Sequence, residues 1–345
     1  RHRRSTVDSG ERGGVKARVV SIDDGAARNV SRDVSRDVSR GPGPDTARAR
    51  SGAFARFSDL VLLLRPRQWI KNGFVLAPLL FSGLATNSSA RDDALGAFVC
   101  FCLIASGIYC WNDVSDSSAD RAHPTKRNRP IAAGRVSRRT GIVLGSVLVL
   151  ASLALGAFIA PLLALVLVSY AVLNVLYSLL LKRVVLVDVF AIAAFFILRL
   201  LAGVTAIGVR ASVWLLLCGG LLSLYLGFTK RRHELTLLGD GSGEHRAVLK
   251  QYDAETLDQI SGILLSVTIV SYIMYTISSS TALAVGSEVL SYSTVFVLYG
   301  VFRYLYLVRR SHGGDPTGTL FTDRALLIDV GLWAVYCAAT LYHVV

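Results

Sequence analysis

Residues 112–120 read Asn-Asp-Val-Ser-Asp-Ser-Ser-Ala-Asp and lie between a long apolar run and a basic segment, residues 121–130. On a helix, Asp113, Asp116 and Asp120 recur at i, i+3 and i+7, so their carboxylates are expected on one face. They would also lie at the C-terminal end of an apolar helix, where the helix dipole disfavours anions. A cation should therefore compensate them, and oxygen ligands of this kind suit Mg²⁺ held together with substrate phosphates.

Basic side chains just downstream favour a functional interpretation of this acidic stretch. Lys126, Arg127 and Arg129 follow in the next loop, and such side chains are suited to phosphate oxygens. A solvated acidic turn after a membrane helix would explain neither the regular spacing nor these cations. The predicted metal ligands are Asn112, Asp113, Asp116 and Asp120.

The pattern N-D-x-x-D-x-x-x-D resembles the first signature of the UbiA superfamily of intramembrane prenyltransferases. Its continuation, H-P-T-K-R-x-R-P-I-A-A-G, ends at Gly134 and is similar to the actinobacterial cell-wall branch, which transfers phosphoribosyl groups. Two further stretches agree with that branch: R-P-R-Q-W-I-K-N at residues 65–72 and K-R-R-H-E at residues 230–234. The resemblance covers roughly residues 56–345.

The resemblance implies an all-α, UbiA-like bundle around a cavity that opens to the cytosol and laterally to lipid. The implied reaction transfers the 5-phosphoribosyl group from phosphoribosyl diphosphate to a polyprenyl (decaprenyl) phosphate and releases diphosphate, with Mg²⁺ as cofactor. The product would be a precursor of the lipid-linked arabinose donor for cell-wall arabinan, the arabinogalactan component. The expected catalytic residues are Asp113, Asp116, Asp120 and Lys126.

The same resemblance assigns substrate-binding side chains to several parts of the chain. The motifs at residues 65–72 and 230–234 contribute two groups, and the loop after the acidic stretch contributes a third. A Y…K…D stretch contributes a fourth, although the strictness of its Y-x-x-x-x-K spacing is open. The expected binding residues are Arg67, Gln68, Lys71, Asn72, Arg127, Arg129, Tyr177, Lys182, Asp188, Lys230, Arg231 and Glu234.

The composition indicates a membrane protein. Hydrophobic residues make up 52% of the 345 residues and charged residues only 18%, which is too skewed for a soluble domain of this size. The net charge of +13 fits basic loops between apolar spans, whereas a nucleic-acid binder would carry its cations on a polar body. No nucleic-acid partner is expected. The five cysteines form no C-x-x-C pair and are interpreted as small buried hydrophobic residues.

Apolar runs of about twenty residues predict about nine transmembrane helices. A short apolar helix from Phe54 to Leu64 should precede them, and the pair around Pro161 could be one broken helix. The expected spans are approximately 69–84, 94–111, 141–159, 161–181, 184–208, 212–229, 259–282, 289–308 and 325–344.

The distribution of Lys and Arg predicts the orientation. If the N-terminus is cytoplasmic, the basic loops alternate with loops that carry little beyond Arg91 and Arg210. By the positive-inside rule, the acidic signature then faces the cytosol of a plasma-membrane protein. Asp188 and Arg199 are eleven positions apart and should share a helix face, where Arg199 could serve in function or in an interhelical pair.

Residues 1–53 are rich in Arg, Asp, Ser and Gly and should form a disordered basic tail ahead of a catalytic domain spanning 54–345. The tail lacks the apolar core of a signal peptide. It could lie on anionic headgroups or be a dispensable extension.

Two other functions stay open. The chain could prenylate an aromatic or quinone precursor, but the second aspartate-rich motif of those enzymes is replaced here by the basic stretch at residues 230–234. It could instead be a transporter or lipid-binding protein, which the aligned carboxylates argue against. The expected partners are phosphoribosyl diphosphate, a polyprenyl phosphate, the bilayer and, as an open option, a second copy of the chain.

Overall fold

A computed structural model describes residues 53–123, 125–238, 251–278, 288–310 and 323–342. Within these ranges every regular element is helical, as expected. The predicted tail falls almost entirely outside the described residues. The α-helices, in chain order, are α1 (Ala53–Leu64), α2 (Ala77–Phe81), α3 (Ser88–Ser115), α4 (Ser117–Ala122), α5 (Arg138–Ile159), α6 (Pro161–Leu179), α7 (Val187–Ala206), α8 (Val213–Leu238), α9 (Ala254–Ile277), α10 (Thr294–Arg310) and α11 (Arg324–Leu341).

Seven helices of the described chain are long and apolar enough to cross a membrane, so the expected count of nine is not confirmed. They are α3, α5, α6, α7, α8, α9 and α11. Helix α10 has 17 residues and follows a 3-10 helix, Glu288–Ser293, so the expected span 289–308 is divided between two elements. Ala160 is extended between α5 and α6, which confirms two separate helices around Pro161.

The predicted first span, residues 69–84, is not a regular helix. Pro66–Leu76 is a 3-10 helix of 11 residues, followed by the five residues of α2. A 3-10 helix rises ~2 Å per residue and an α-helix ~1.5 Å, so together they cover about 30 Å, the thickness of a bilayer core. Periodicity alone could not reveal this, because the apolar content of the run is the same in either conformation.

This irregular segment, Pro66–Phe81, runs antiparallel to α3. Near its start the Trp69 indole donates to the Ser106 hydroxyl at 3.0 Å, and further along the Asn72 amide donates to the Cys102 sulfur at 3.3 Å. Farther along the segment, the Val75 carbonyl oxygen lies against Gly203 of α7. A Cβ atom on Gly203 would be only 2.0 Å from that oxygen. Only glycine allows the backbone of α7 to approach this closely.

The largest buried cluster lies where α3, α5, α6 and α7 pack together, with Phe101, Leu163 and Leu167 fully buried. Helices α3 and α5 approach most closely at two glycines. A Cβ on Gly107 would meet the Gly145 carbonyl oxygen at 2.7 Å, and the reverse contact would be 2.8 Å. In lipid, apolar side chains alone contribute little to helix association, and close backbone packing is needed. These glycines therefore position the C-terminal end of α3.

Candidate active site

The acidic stretch lies where α3 ends and α4 begins, with Asp116 at the junction. Asp113 and Asp120 are buried, 2% and 4% exposed, whereas Asp116 is exposed. Two of the three expected carboxylates therefore face the protein interior, while the third is open to the surface. Asp116 is the residue between the two helices, and its amide and carbonyl still bond four residues back to Asn112 and forward to Asp120, each at 2.8 Å.

Arg129 joins the two buried carboxylates. Its Nη1 atom is 3.2 Å from Asp113 Oδ1 and 2.7 Å from Asp120 Oδ2, so one cationic nitrogen holds both groups together. Arg65 forms a second ion pair with Asp113. Two arginines thus neutralise two carboxylates at the end of α3, which is the compensation that the helix dipole requires.

Arg65 was missed as a site residue, although it opens the quoted R-P-R-Q-W-I-K-N stretch. Its backbone is left-handed, with φ of 54°, and its guanidinium lies 5.0 Å from the centre of the Tyr109 ring. A non-glycine residue in this conformation is strained by about 1–3 kcal/mol and is often held so at a functional site. The sequence signal was the following Pro66, which disfavours helix at residue 65.

The C-terminal end of α3 with Asp113 and Asp120, here called the acidic end, offers oxygen ligands that suit Mg²⁺. Asp113 and Asp120 supply carboxylate oxygens that already converge on one cationic atom, and hard divalent cations prefer such ligands. In the described ranges no group of three or more Asp, Glu, His or Cys side chains is close enough to form a metal site. The exposed Asp116 and half-buried Asn112 would have to join the two buried carboxylates.

The other expected residues of the stretch at 65–72 and of the loop after the acidic stretch lie at different depths. Lys126, Arg127 and Arg67 are exposed, while Gln68 and Lys71 are half-buried. The expectation that Asn72 lines the mouth is wrong, because its side chain is 1% exposed and accepts a hydrogen bond from Arg199 Nε at 2.9 Å. The Asn72 amide bonds Arg199 of α7 and Cys102 of α3, so it lies between helices and not at the mouth.

Arg199 is a buried cation held by uncharged groups. Besides Asn72, it donates to the Phe195 carbonyl at 2.8 Å and to the Tyr170 hydroxyl at 3.1 Å, and its guanidinium lies over three aromatic rings. Such contacts offset part of the cost of burying the charge. Its contacts with Asn72 and Tyr170 are interhelical, which was one of the two roles left open for Arg199, and they tie the irregular segment to α6 and α7.

A second polar cluster surrounds Asp188 at the start of α7. Its Oδ2 atom is 2.7 Å from Arg231 Nε, and both side chains are 1% exposed. Arg231 Nη1 also pairs with Glu234 at 2.9 Å, while Nη2 has no partner within the described residues. Because short connections make successive helices antiparallel, this cluster lies at the same end of the bundle as Asp113.

Lys230 and Arg231, both expected to bind substrate, point in different directions. Lys230 is exposed, whereas Arg231 points inward to Asp188, because neighbours on a helix face directions about 100° apart. Tyr177 is half-buried against the Phe195 ring, with the ring centres 5.8 Å apart, and Lys182 is half-buried.

Tyr252 completes the second cluster and was not found from the sequence. Its hydroxyl donates to Asp188 Oδ1 at 2.9 Å and accepts from the Leu186 amide at 2.6 Å. Burial raises the pKa of the phenol to about 12, so it keeps its proton and donates at neutral pH. Nothing in a single sequence links a tyrosine to a carboxylate 64 positions earlier.

Fold and site together define a multi-pass membrane protein with two clusters of buried charge at one end of its helices. The chain belongs to the UbiA prenyltransferase family, whose model matches residues 75–324. It is accordingly a membrane transferase.

Relatives in two organisms span most of the chain. It is 33% identical to the decaprenyl-phosphate phosphoribosyltransferase of Mycolicibacterium smegmatis over 83% of this chain and 93% of that protein. It is 32% identical to the protein of the same name from Corynebacterium glutamicum over 81% of this chain and 85% of that one. A solved structure of a UbiA homolog from Archaeoglobus fulgidus, bound to DMAPP and Mg²⁺, matches with a TM-score of 0.62. The match covers 82% of this chain and 99% of that one at 16% sequence identity. At this identity the similarity shows the fold alone.

Proposed function

We propose that this protein transfers the 5-phosphoribosyl group from phosphoribosyl diphosphate to a polyprenyl phosphate such as decaprenyl phosphate, and releases diphosphate. The observation that carries the proposal is the near full-length similarity to two phosphoribosyltransferases of that specificity. The buried arginine and carboxylate clusters at one end of the bundle fit a reaction in which both substrates are phosphate esters.

The acidic end would hold the metal. Asn112, Asp113, Asp116 and Asp120 are the proposed Mg²⁺ ligands, and Mg²⁺ bound there would offset the negative charge of the diphosphate leaving group. Arg129 now pairs with Asp113 and Asp120, so a metal on these carboxylates would free its guanidinium for a phosphate oxygen. Lys126 and Arg127 lie in the same loop as Arg129 and are exposed, so they add positive charge at the solvent side of the site.

The chemical step needs few catalytic groups. An oxygen of the lipid phosphate forms a bond to the anomeric carbon of the ribose, while the bond from that carbon to the diphosphate oxygen breaks. Because the nucleophile is already an anion, no proton has to be removed, and catalysis would be mainly orientation and charge stabilisation. Arg67, Gln68 and Lys71 are the proposed contacts on the 3-10 segment, and Tyr177, Lys182 and Lys230 those near the second cluster.

The proposed setting is the plasma membrane, with the N-terminus and the site on the cytosolic side. Phosphoribosyl diphosphate is a soluble anion and would enter from water, whereas the lipid phosphate would arrive within the bilayer. The lipid product would supply the arabinose donor used for cell-wall arabinan.

The test is a transfer assay in nanodiscs with labelled phosphoribosyl diphosphate and decaprenyl phosphate, run beside prenyl diphosphate and 4-hydroxybenzoate. We expect labelled lipid and released diphosphate only in the first reaction. Arg129→Gln should lower kcat/KM by about tenfold or more, because it removes charge-assisted bonds. Arg135→Gln is the matched control, since Arg135 belongs to the same loop but pairs with Asp59. Prenylation of the aromatic acid without use of phosphoribosyl diphosphate would refute the proposal.

A further inference from the structure

The loop before α7 contains a strained turn. Leu186 has φ of 66° and ψ of −47°, and the Val187 amide donates to the Val185 carbonyl at 2.8 Å. These values describe a γ-turn of the rare, strained kind. Apart from glycines, only Leu186 and Arg65 have positive φ in the described chain, and each adjoins one of the two charged clusters.

The turn is positioned between two expected substrate contacts. Lys182 lies four residues before Leu186, and Asp188 lies two residues after it. The direction of Asp188 therefore depends on the conformation at Leu186. Nothing about the Leu186 side chain requires the strain, because this side chain is 42% exposed.

Tyr252 bonds both the turn and Asp188. Its hydroxyl accepts from the Leu186 amide and donates to Asp188, so one oxygen connects the strained residue to the carboxylate. Asp188 in turn orients Arg231 through Nε, and Glu234 binds Nη1. Arg231 Nη2 is buried as well, but unlike Nε and Nη1 it has no hydrogen-bond partner within the described residues.

We infer that Tyr252 is a positioning residue for anionic substrate. It stabilises the strained turn at Leu186 and, through Asp188, holds the Arg231 guanidinium so that Nη2 can donate to a phosphate oxygen. The inference rests on the proposed function for the identity of that substrate. The coupling between Tyr252 and the turn does not depend on it.

The first test is Tyr252→Phe, which removes one oxygen and leaves the ring. We expect the apparent KM for phosphoribosyl diphosphate or for decaprenyl phosphate to rise by about tenfold, with a smaller change in kcat. Tyr342→Phe is the matched control, because that hydroxyl also bonds backbone groups, at Ala85, Leu79 and Leu80, but lies at the opposite end of the bundle. A lower yield of folded enzyme with both KM values unchanged would overturn the inference.

The second test adds a change at Leu186 to Tyr252→Phe. Leu186→Gly tolerates positive φ and should recover roughly threefold or more of the lost kcat/KM, whereas Leu186→Ala keeps the strain and should recover little. Equal recovery by Gly and Ala would show that strain at Leu186 is not what Tyr252 opposes, and so would overturn the inference.

A third readout needs no turnover. The Leu186 amide is bonded to the Tyr252 hydroxyl, so hydrogen exchange in a peptide covering residues 184–190 should accelerate in Tyr252→Phe and not in Tyr342→Phe. If the wild type fails to use phosphoribosyl diphosphate, the proposed function fails, but this measurement still decides the coupling. Unchanged exchange in Tyr252→Phe would reject it.

Discussion

The ion pair between Asp188 and Arg231 allows a quantitative prediction. Asp188→Asn keeps the shape of the side chain but leaves the Arg231 guanidinium buried without its closest negative charge. Breaking one partner of a buried pair costs about 3–5 kcal/mol. We expect about 3 kcal/mol, at the lower end of that range, because Glu234 still binds Nη1 at 2.9 Å.

The next arginine on α8, Arg232, forms an ion pair with Asp258 of α9 that is a matched control. Arg232 Nε is 3.1 Å from Asp258 Oδ1, but these side chains are 33% and 53% exposed. Exposed pairs contribute about 0–1 kcal/mol, so Asp258→Asn should change the free energy of unfolding very little. The two substitutions are chemically identical and differ mainly in burial.

The assay is thermal unfolding of purified protein in one detergent at fixed pH and salt. A loss of about 3 kcal/mol should lower the midpoint Tm by roughly 5–10 °C, and Asp258→Asn should lower it by less than about 2 °C. Equal shifts for the two variants would refute the argument from burial.

A compensating variant separates stability from function. Asp188→Asn combined with Arg231→Gln removes both charges and leaves a neutral pair, so most of the lost stability should return. If Arg231 also binds substrate, the double variant should fold and still lose transfer activity. Recovery of both properties would mean that the pair serves only to hold α7 against α8.

Three further outcomes test other parts of the structure. Asp113→Asn should abolish turnover at limiting Mg²⁺ while the protein stays folded, and near-normal transfer would reject the acidic end as the metal site. Gly203→Ala should destabilise the bundle because the new Cβ would meet a backbone carbonyl at 2.0 Å, whereas Gly262→Ala has open space and should be neutral or slightly stabilising in the same Tm assay. Single cysteines at the exposed positions Asn128 and Ser212 should be labelled by impermeant reagents from the cytosolic and the opposite side respectively, and labelling of both from one side would refute the proposed topology.

The sequence alone determined the class of protein and the location of its polar ends. Apolar runs long enough for the bilayer predict the helices, because in lipid every backbone group must be bonded within its own segment. The resemblance to the UbiA superfamily and to its phosphoribosyl-transferring branch is confirmed by the family match and by the relatives. The five cysteines are free, as expected, and four of them are buried.

Tertiary structure decided which of the predicted residues meet. The spacing of Asp113, Asp116 and Asp120 predicted three neighbouring carboxylates, but only the fold showed that Arg129 binds Asp113 and Asp120 while Asp116 is exposed. Residues 66–81 take an irregular form whose backbone lies against Gly203, a contact that hydropathy does not encode.

The second cluster shows the same limit most clearly. Asp188, Arg231 and Tyr252 come from three segments far apart in the chain, and their contacts depend on how α7, α8 and α9 pack. A local pattern reports only the period and polarity of its own segment, since side-chain direction across helices is set by packing. The sequence therefore predicted a charged end, while the fold determined that Lys230 stays exposed, that Arg231 turns inward, and that Tyr252 is joined to Arg231 through Asp188.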